Sequence, residues 1–415
     1  SPSMDRYLVI SADCHAGLQP ERYRDYLDPK YRDAFDVALP LQMAQIEASE
    51  KQFLVKEINE QWRKGHDHAL TGAWDHDARI EVLDADGLAG EIIFPDGITE
   101  HNTPPFGAGL GLPTEGIDPE LQWAGARAHN RWLAEFVEMA PERRVGVAVV
   151  PALWDPEAAA TYVREVRETG LRSIMIPTVW GRFAPYHHPR YEPIWSVCEE
   201  LDLVLNFHSG ATPRHDHWGD WPAEGSEQMP GSMGVYLTEV VWFVARPITY
   251  LIWGGVFERH PKLKVAITEG TCGWAPELLK LMDLRYDHGM EDQKLGDYRS
   301  HLSMKPSEYF RRNIALGASC VRRSEIAQRH EIGIESIMWG TDYPHPEGSW
   351  PHTRDQMLEA FVGVPDDELE AMLGGNAARF YGFDVEKLAP HAARIGPEKS
   401  LFRGPMPELI GTRAS

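Results

Sequence analysis

Short runs of β-branched and aromatic residues recur along the chain, each closed by turn-forming residues and most followed by a helix-like stretch. The runs are Tyr7 to Ala12, Glu91 to Phe94, Val145 to Val150, Arg172 to Pro177, Leu203 to His208, Leu263 to Glu269, Asn313 to Gly317 and Ser336 to Asp342. Nearly continuous apolar strands of this kind belong to parallel sheets covered on both faces. Between them, Leu121 to Met139, Pro156 to Thr169, Pro193 to Leu201 and Pro276 to Asp287 show helical spacing of apolar positions. Proline sits just inside several of these starts, where its missing N–H costs nothing. Eight strands alternating with helices predict an α/β fold, a closed (β/α)8 TIM barrel. An open doubly wound sheet is the alternative, but no G-x-G-x-x-G follows the first strand to support it.

Two insertions interrupt the alternation. Residues 28–77 are polar, helical in tone and rich in Glu and His, and residues 101–118 form a Pro/Gly-rich loop. In a barrel both would lie over the C-terminal ends of the strands. The pattern assigns residues 1–384 to one barrel domain and 385–415 to a tail that packs on a neighbour or stays loose. The most apolar stretch, Val235 to Phe257, contains Glu239 and Arg246 and is broken by Pro247. It reads as a buried helix rather than a span, which needs ~20 uninterrupted apolar residues.

Composition sharpens this picture. The chain has 415 residues, 43% hydrophobic and 25% charged, which is an ordinary globular balance. Its formal net charge of −22 repels phosphate backbones and anionic lipid, so nucleic acid and membrane surfaces are poor partners. Cys14, Cys198, Cys272 and Cys320 form no C-x-x-C pair, so neither a zinc ribbon nor a disulfide framework is expected. With a Ser-Pro-Ser-Met-Asp start that shows no export leader, reduced thiols fit a cytoplasmic protein.

Candidate chemistry lies at the strand ends, because barrel sites assemble on the C-terminal face. The first strand runs into Asp13-Cys-His15, and residues two apart in extended chain share a face. The fifth ends at His208, the sixth at Glu269 and the eighth at Asp342 in Gly-Thr-Asp-Tyr-Pro-His. Singly, such an Asp is an ordinary helix cap or turn former, and such a His an ordinary core residue. Together they are five candidate metal ligands at four strand ends. The pairs His66/His68 and His215/His217 occur in polar loop sequence with no buried strand before them, and are weaker candidates.

These residues resemble the amidohydrolase superfamily, in particular its branch similar to aminocarboxymuconate semialdehyde decarboxylase. The likeness spans Tyr7 to Phe383 and includes the D-x-H after the first strand and F-H-S-G at the fifth. It continues through Gly254 to Val265 before the sixth, G-T-D-Y-P-H at the eighth and Gly374 to Phe383. It implies a barrel with a divalent metal at its mouth, held by Asp13, His15, His208 and Asp342. One position departs: that branch commonly ends the sixth strand in a histidine, and here the residue is Glu269. Asp13 and Asp342 already neutralise one divalent ion, so an ionised Glu269 would leave the buried mouth at −1, which is costly. Glu269 is then protonated and serves as acid or base, pairs with an arginine, or joins a second metal ion with a histidine from the insertions. A donor set without thiolate suits manganese and iron as well as zinc.

Three functions follow. The first is a metal-dependent hydrolase or non-oxidative decarboxylase for a small, carboxylate-bearing organic substrate, with Asp342 and Glu269 catalytic and Arg182 or Arg214 clamping the carboxylate. The second is a dinuclear iron or manganese oxygenase, with His66, His68, His76, His101, Glu57 and Glu60 as further ligand candidates. The third is a silent subunit that supports an active paralogue through its tail and a surface rich in tryptophan, of which the chain has 14. Trp154, Trp180, Trp218, Trp221, Trp274 and Trp350 suggest a ring-bearing ligand or simple packing. Family habit implies a homo-oligomer, and the third reading a hetero-oligomer.

Overall fold

The computed structural model describes residues 5–53, 55–96, 99–210, 214–220, 229–288 and 294–405, without the side chains of residues 49–53, 99, 100 and 214. Eight parallel strands stand in sequential order: β1 Ile10–His15, β2 Gly90–Phe94, β3 Arg144–Val149, β4 Ser173–Met175, β5 Val204–His208, β6 Lys264–Thr268, β7 Ile314–Ser319 and β8 Ile337–Gly340. The ring closes just beyond the last strand. Asp342 N–H donates to the Asp13 carbonyl and His15 N–H to the Tyr343 carbonyl, both at 2.7 Å. Helices such as Pro119–Glu138, Pro156–Glu168 and Glu192–Glu200 cover the outside, as their spacing predicts.

Alternation along the strands builds two apolar layers. Ile10, Ile92, Val147, Met175, Val204, Ala266 and Met338 fill the barrel interior. Val9, Ile93, Ile174, Leu205, Val265, Leu316 and Trp339 face the helices. In β1 the alternation changes phase: Ser11 pairs with Glu91 but Cys14 with Ile93, so β1 carries one extra residue. Ile10 and Ala12 therefore point inward below that irregularity while Asp13 and His15 point inward above it, the re-aiming that β-bulges provide.

The insertion helices Lys56–Gly65 and Asp67–Leu70 pack by the segment after β8, while Arg32–Phe53 lies against the 101–118 loop, with Phe35 edge-on to Phe106. Tyr343 O–H donates to the Ala69 carbonyl at 2.6 Å, and His66 stands edge-on to Trp350. Two sequence readings are corrected. The helix Ser232–Trp253 runs unbroken through Pro247. It is long and apolar enough to cross a membrane by length and composition, but its C-terminal half lies in the core, with Val244, Ile248 and Leu251 fully buried. The segment read as a tail that packs on a neighbour or stays loose is, over its described residues 385–405, packed on its own barrel. Val385–Ile395 is a helix, and the chain beyond it bonds to its own beginning: Tyr7 N–H to the Pro397 carbonyl and Lys399 N–H to the Asp5 carbonyl. Leu388 and Phe402 bury against the barrel, which makes docking cheaper than solvation.

A fully buried ion pair supports the first strand. Arg79 grips Glu91 through Nε and Nη2, and its Nη1 donates to the carbonyls of His15 and Gly72 at 3.0 Å each. Removing one partner of such a pair strands the other charge in a dry interior. Arg79→Met should therefore lower the unfolding free energy by about 3–5 kcal/mol in denaturant titration; a loss below about 1 kcal/mol would show that the pair contributes little.

Candidate metal centre

The mouth of the barrel gathers six donor side chains from four strand ends. Asp13 and His15 come from β1 and His208 is the last residue of β5. Glu269 follows β6, and Asp342 and His345 follow β8. Glu269 and Asp342 have positive φ, 60° and 58°, as do Asp96 after β2 (65°) and Cys320 after β7 (51°). Side chains other than glycine rarely adopt this backbone, and it clusters where a site demands it. Gly340 is needed for the close approach of β8: a Cβ there would sit 3.1 Å from that of Asp13 and 2.9 Å from Ser319 Oγ.

The donors form two overlapping groups, each with its atoms within 4.8 Å of one another: Asp13, His15, His208 and Glu269, and His15, Glu269, Asp342 and His345. His15 Nε2 lies 2.8 Å from Asp342 Oδ1, 3.2 Å from Asp13 Oδ1 and 3.7 Å from Glu269 Oε2. His208 Nε2 is 3.1 Å from Asp13 Oδ1 and 3.4 Å from Glu269 Oε2. The far oxygens are tied down, Asp13 Oδ2 by Ser319 Oγ at 2.6 Å and Glu269 Oε1 by Ser209 Oγ at 3.0 Å.

Backbone carbonyls set the tautomers. His15 Nδ1 lies 2.8 Å from the Pro95 carbonyl and His208 Nδ1 2.5 Å from that of Ser209. A carbonyl only accepts, so each Nδ1 carries hydrogen and a neutral ring turns the Nε2 lone pair inward. His15 Nε2, Glu269 Oε2 and Asp342 Oδ1 are buried without a hydrogen-bond partner. Unmatched donors converging on one point fit a divalent cation better than any internal pairing.

Electrostatics agree. Burial would raise the Asp13 carboxyl, but His208 and His15 beside it hold it well below the usual range. Burial opposes charge on His15, yet Asp13, Asp342 and Glu269 raise it well above its ordinary value. Against the same burial, Glu269 and Asp13 raise His208. Glu269 itself is pushed up to about 8, first by burial and then by the like charge of Asp342. Asp342 is lowered by His345 and His15 despite burial. His345 rises to about 9 because Asp342 outweighs burial and the neighbouring His15. Protons on the rings thus do in the metal-free chain what a cation would do.

Beside the donors, reached through His208, is a narrow cleft. Leu110, Leu112, Leu153, Val179, Phe243 and Val244 form its walls, with His208 and Ser209 at the floor. None of its lining residues is a lysine, an arginine or a tryptophan. Arg182, expected as a carboxylate clamp, is 64% exposed and paired at the surface with Glu115 and Asp220. The Arg214 side chain and Trp221 lie outside the described residues. The insertion candidates stay out of both donor groups among the described residues. His66 binds the Trp62 carbonyl and His68 pairs with Glu81, while Glu57 and Glu60 are exposed. His76 and His101, in their own helical turns, join neither group. The residue that sequence reasoning missed is His345, although it stood in the G-T-D-Y-P-H stretch three places after Asp342.

This is the architecture of a barrel enzyme whose mouth could hold a divalent metal ion. Residues 111–383 match the amidohydrolase family model, and the chain belongs to that family. A 2-amino-3-carboxymuconate-6-semialdehyde decarboxylase from Dictyostelium discoideum is 26% identical over 76% of this chain and 79% of its own length. A gamma-resorcylate decarboxylase from Rhodococcus jostii is 28% identical over 59% of this chain and 74% of its own. Among solved structures, the fold is similar to a 5-carboxyvanillate decarboxylase from Novosphingobium aromaticivorans bound to manganese and 4-hydroxy-3-methoxy-5-nitrobenzoic acid. The TM-score is 0.63 at 20% identity, covering 91% of this chain and 97% of that one.

The protonation pattern makes a testable demand on the metal-free protein. Glu269 holds its proton up to about pH 8 when folded, against an ordinary value of 4.5. His345 holds its own up to about 9, against 6.5. The folded chain therefore binds more protons than the unfolded chain across these windows, so stability falls as pH rises through them. After chelation, the melting temperature should drop between pH 6 and pH 9. With divalent metal added, whose charge replaces that of the ring protons, it should hold or rise. Parallel curves with and without metal in scanning fluorimetry would sink this account.

Proposed function

We propose that the chain is a divalent-metal-dependent decarboxylase of a small organic acid with a largely apolar, ring-bearing body. The observation that carries the reading is the set of buried, unpartnered donors of His15, Glu269 and Asp342 beside an apolar cleft. Asp13, His15, His208 and Asp342 are the residues that would hold the ion. When bound, the cation supplies a positive anchor for the substrate carboxylate or an adjacent oxygen and draws electron density from it. No described lysine or arginine lines the cleft to share that task.

The chain's residues supply the rest. Decarboxylation turns a carboxylate into neutral CO2, so the apolar walls of the cleft favour the product over the charged reactant. The bond from the substrate carbon to the carboxyl carbon breaks, and its electron pair remains on the substrate carbon. A proton must replace the lost CO2. Glu269, 27% exposed and hydrogen-bonded to Ser209 at the floor of the cleft, can deliver it and be reprotonated from solvent. Asp13 and Asp342 already neutralise one divalent ion, and burial favours a proton on the third carboxyl. Ser209 keeps the Glu269 carboxyl oriented. Hydrolysis on the same scaffold is the coarser alternative. The relatives named above are decarboxylases, which favours carboxyl loss over hydrolysis and over dioxygen chemistry.

Manganese-loaded protein should release CO2 from one member of a panel of aromatic monocarboxylic acids. In D2O the product should carry one deuterium where the carboxylate stood, read by NMR. Glu269→Gln should lower kcat by about 10²–10⁴-fold with a much smaller change in KM. Arg182→Ala, being a surface pair, should leave kcat/KM within about twofold. Uptake of dioxygen, or water addition with the carboxylate intact, would overturn the reading.

A further inference from the structure

We infer that a groove on the flank of the barrel, outside the metal centre, binds a small organic anion with a flat aromatic body, and that its occupancy is felt at the wall of the cleft. The groove lies between the N-terminal halves of the helices Pro119–Glu138 and Pro156–Glu168. It does not depend on the decarboxylase reading.

Helical spacing builds the groove. Trp123 and Arg127, four apart, share one face of the first helix, and Ala158 and Tyr162 share one face of the second. With Tyr31 and Trp154 they line an open groove of ≈ 460 Å³, the size of a small-molecule pocket. Trp123 and Tyr162 meet at 90° with ring centroids 5.3 Å apart. The Arg127 guanidinium lies over both rings, 5.6 and 5.8 Å from their centroids. Such contacts hold the cation by its face and leave its N–H edge unspent. Among the described residues no carboxylate or carbonyl pairs with Arg127.

The two carboxylates in the groove are already committed. Glu120 accepts from Tyr31 O–H at 2.7 Å and stands 3.8 Å from Lys30. Asp155 caps the second helix by accepting from Ala158 N–H at 3.0 Å. Both sit at helix starts, and Arg127 lies about 10 Å further along, far enough for salt to screen much of their repulsion. A carboxylate meets the edge of a guanidinium through two parallel hydrogen bonds, and an aromatic ring attached to it can pack on Trp123 and Trp154.

Hydrogen bonds join this groove to the cleft. Trp154 Nε1 donates to Gln122 Oε1 at 2.7 Å. The buried Gln122 in turn donates from Nε2 to the carbonyls of Gly107 and Pro113, at 3.0 and 2.7 Å. Those two carbonyls bracket Leu110, Gly111 and Leu112, which wall the cleft, and Leu153, the residue before Trp154, lines it too. A ring seated on Trp154 fixes the indole and, through the Gln122 amide, steadies residues 107–113.

The test uses 2-naphthoate and protein stripped of metal with chelator, so that no ion at the mouth can hold the carboxylate. Calorimetry should show saturable binding of one molecule per chain. Uncharged 2-naphthamide should bind at least about tenfold more weakly, and Arg127→Met should weaken 2-naphthoate by about the same factor. Ala158→Trp, which fills the groove from an exposed helix position, should abolish binding with an unchanged circular dichroism spectrum. It decides the matter if the Arg127 variant does not fold. Hydrogen exchange in residues 107–113 should slow when the probe binds. Absence of saturable binding, or binding that survives both substitutions, overturns the site. Binding that appears only once Mn²⁺ is added also overturns it, and leaves the metal-anchored decarboxylase standing. Binding with unchanged exchange at 107–113 overturns the link to the cleft.

Discussion

The seam between the last strand and the first governs the molecule. A barrel must close, and here closure runs through the residues that carry the chemistry. Asp342 donates its backbone N–H to Asp13, and His15 donates to Tyr343. Ser11 Oγ lies 3.2 Å from Thr341 Oγ1 just below. These bonds fix the spacing of Asp13, His15 and Asp342 before any side chain is considered, and the glycine at 340 permits the approach. Rigid backbone placement is what allows buried like charges to be held near one another without collapsing or swinging apart. Arg79 braces the same seam from outside, tying the His15 carbonyl to the Glu91 carboxylate.

Much of this was legible in the chain. Strand bodies could be read because buried parallel strands must be apolar throughout, and each expected run overlaps a strand. Asp13, His15, His208, Glu269 and Asp342 could be located because a polar residue directly after such a run sits at the barrel mouth. What was hidden depends on backbone rather than on residue type. The extra residue in β1, the left-handed turns at Glu269 and Asp342, and the carbonyls that set the histidine tautomers leave no mark in composition. His345 was overlooked because three residues past a strand end, direction is set by the loop. Arg182 misled for the same reason: its place after a strand is suggestive, but it points outward to Glu115 and Asp220. Pro247 was read as a stop, yet in a helix seated against the core the surrounding packing outweighs the lost hydrogen bond.

The charge of the whole chain and that of the site pull in different directions. At −22 the protein attracts cations and repels acids at long range. A site that binds an organic acid must therefore reverse that sign locally. The described arginines do not do so: Arg79 is consumed by Glu91, and Arg246 covers the Trp180 ring. In the decarboxylase proposed above, cation binding would convert an acid-rich mouth into one that accepts an anion, so metal would bind before substrate.

The docked C-terminal segment has a practical consequence. Asp5 and Lys399 are hydrogen-bonded to each other beneath the barrel, on the side away from the cleft. Anything grafted to the chain near these points, whether an affinity handle, a fluorophore or a tether to a bead, would hang from the floor and leave the entrance facing solution. An immobilised form of the protein should then turn over substrate as freely as the dissolved one.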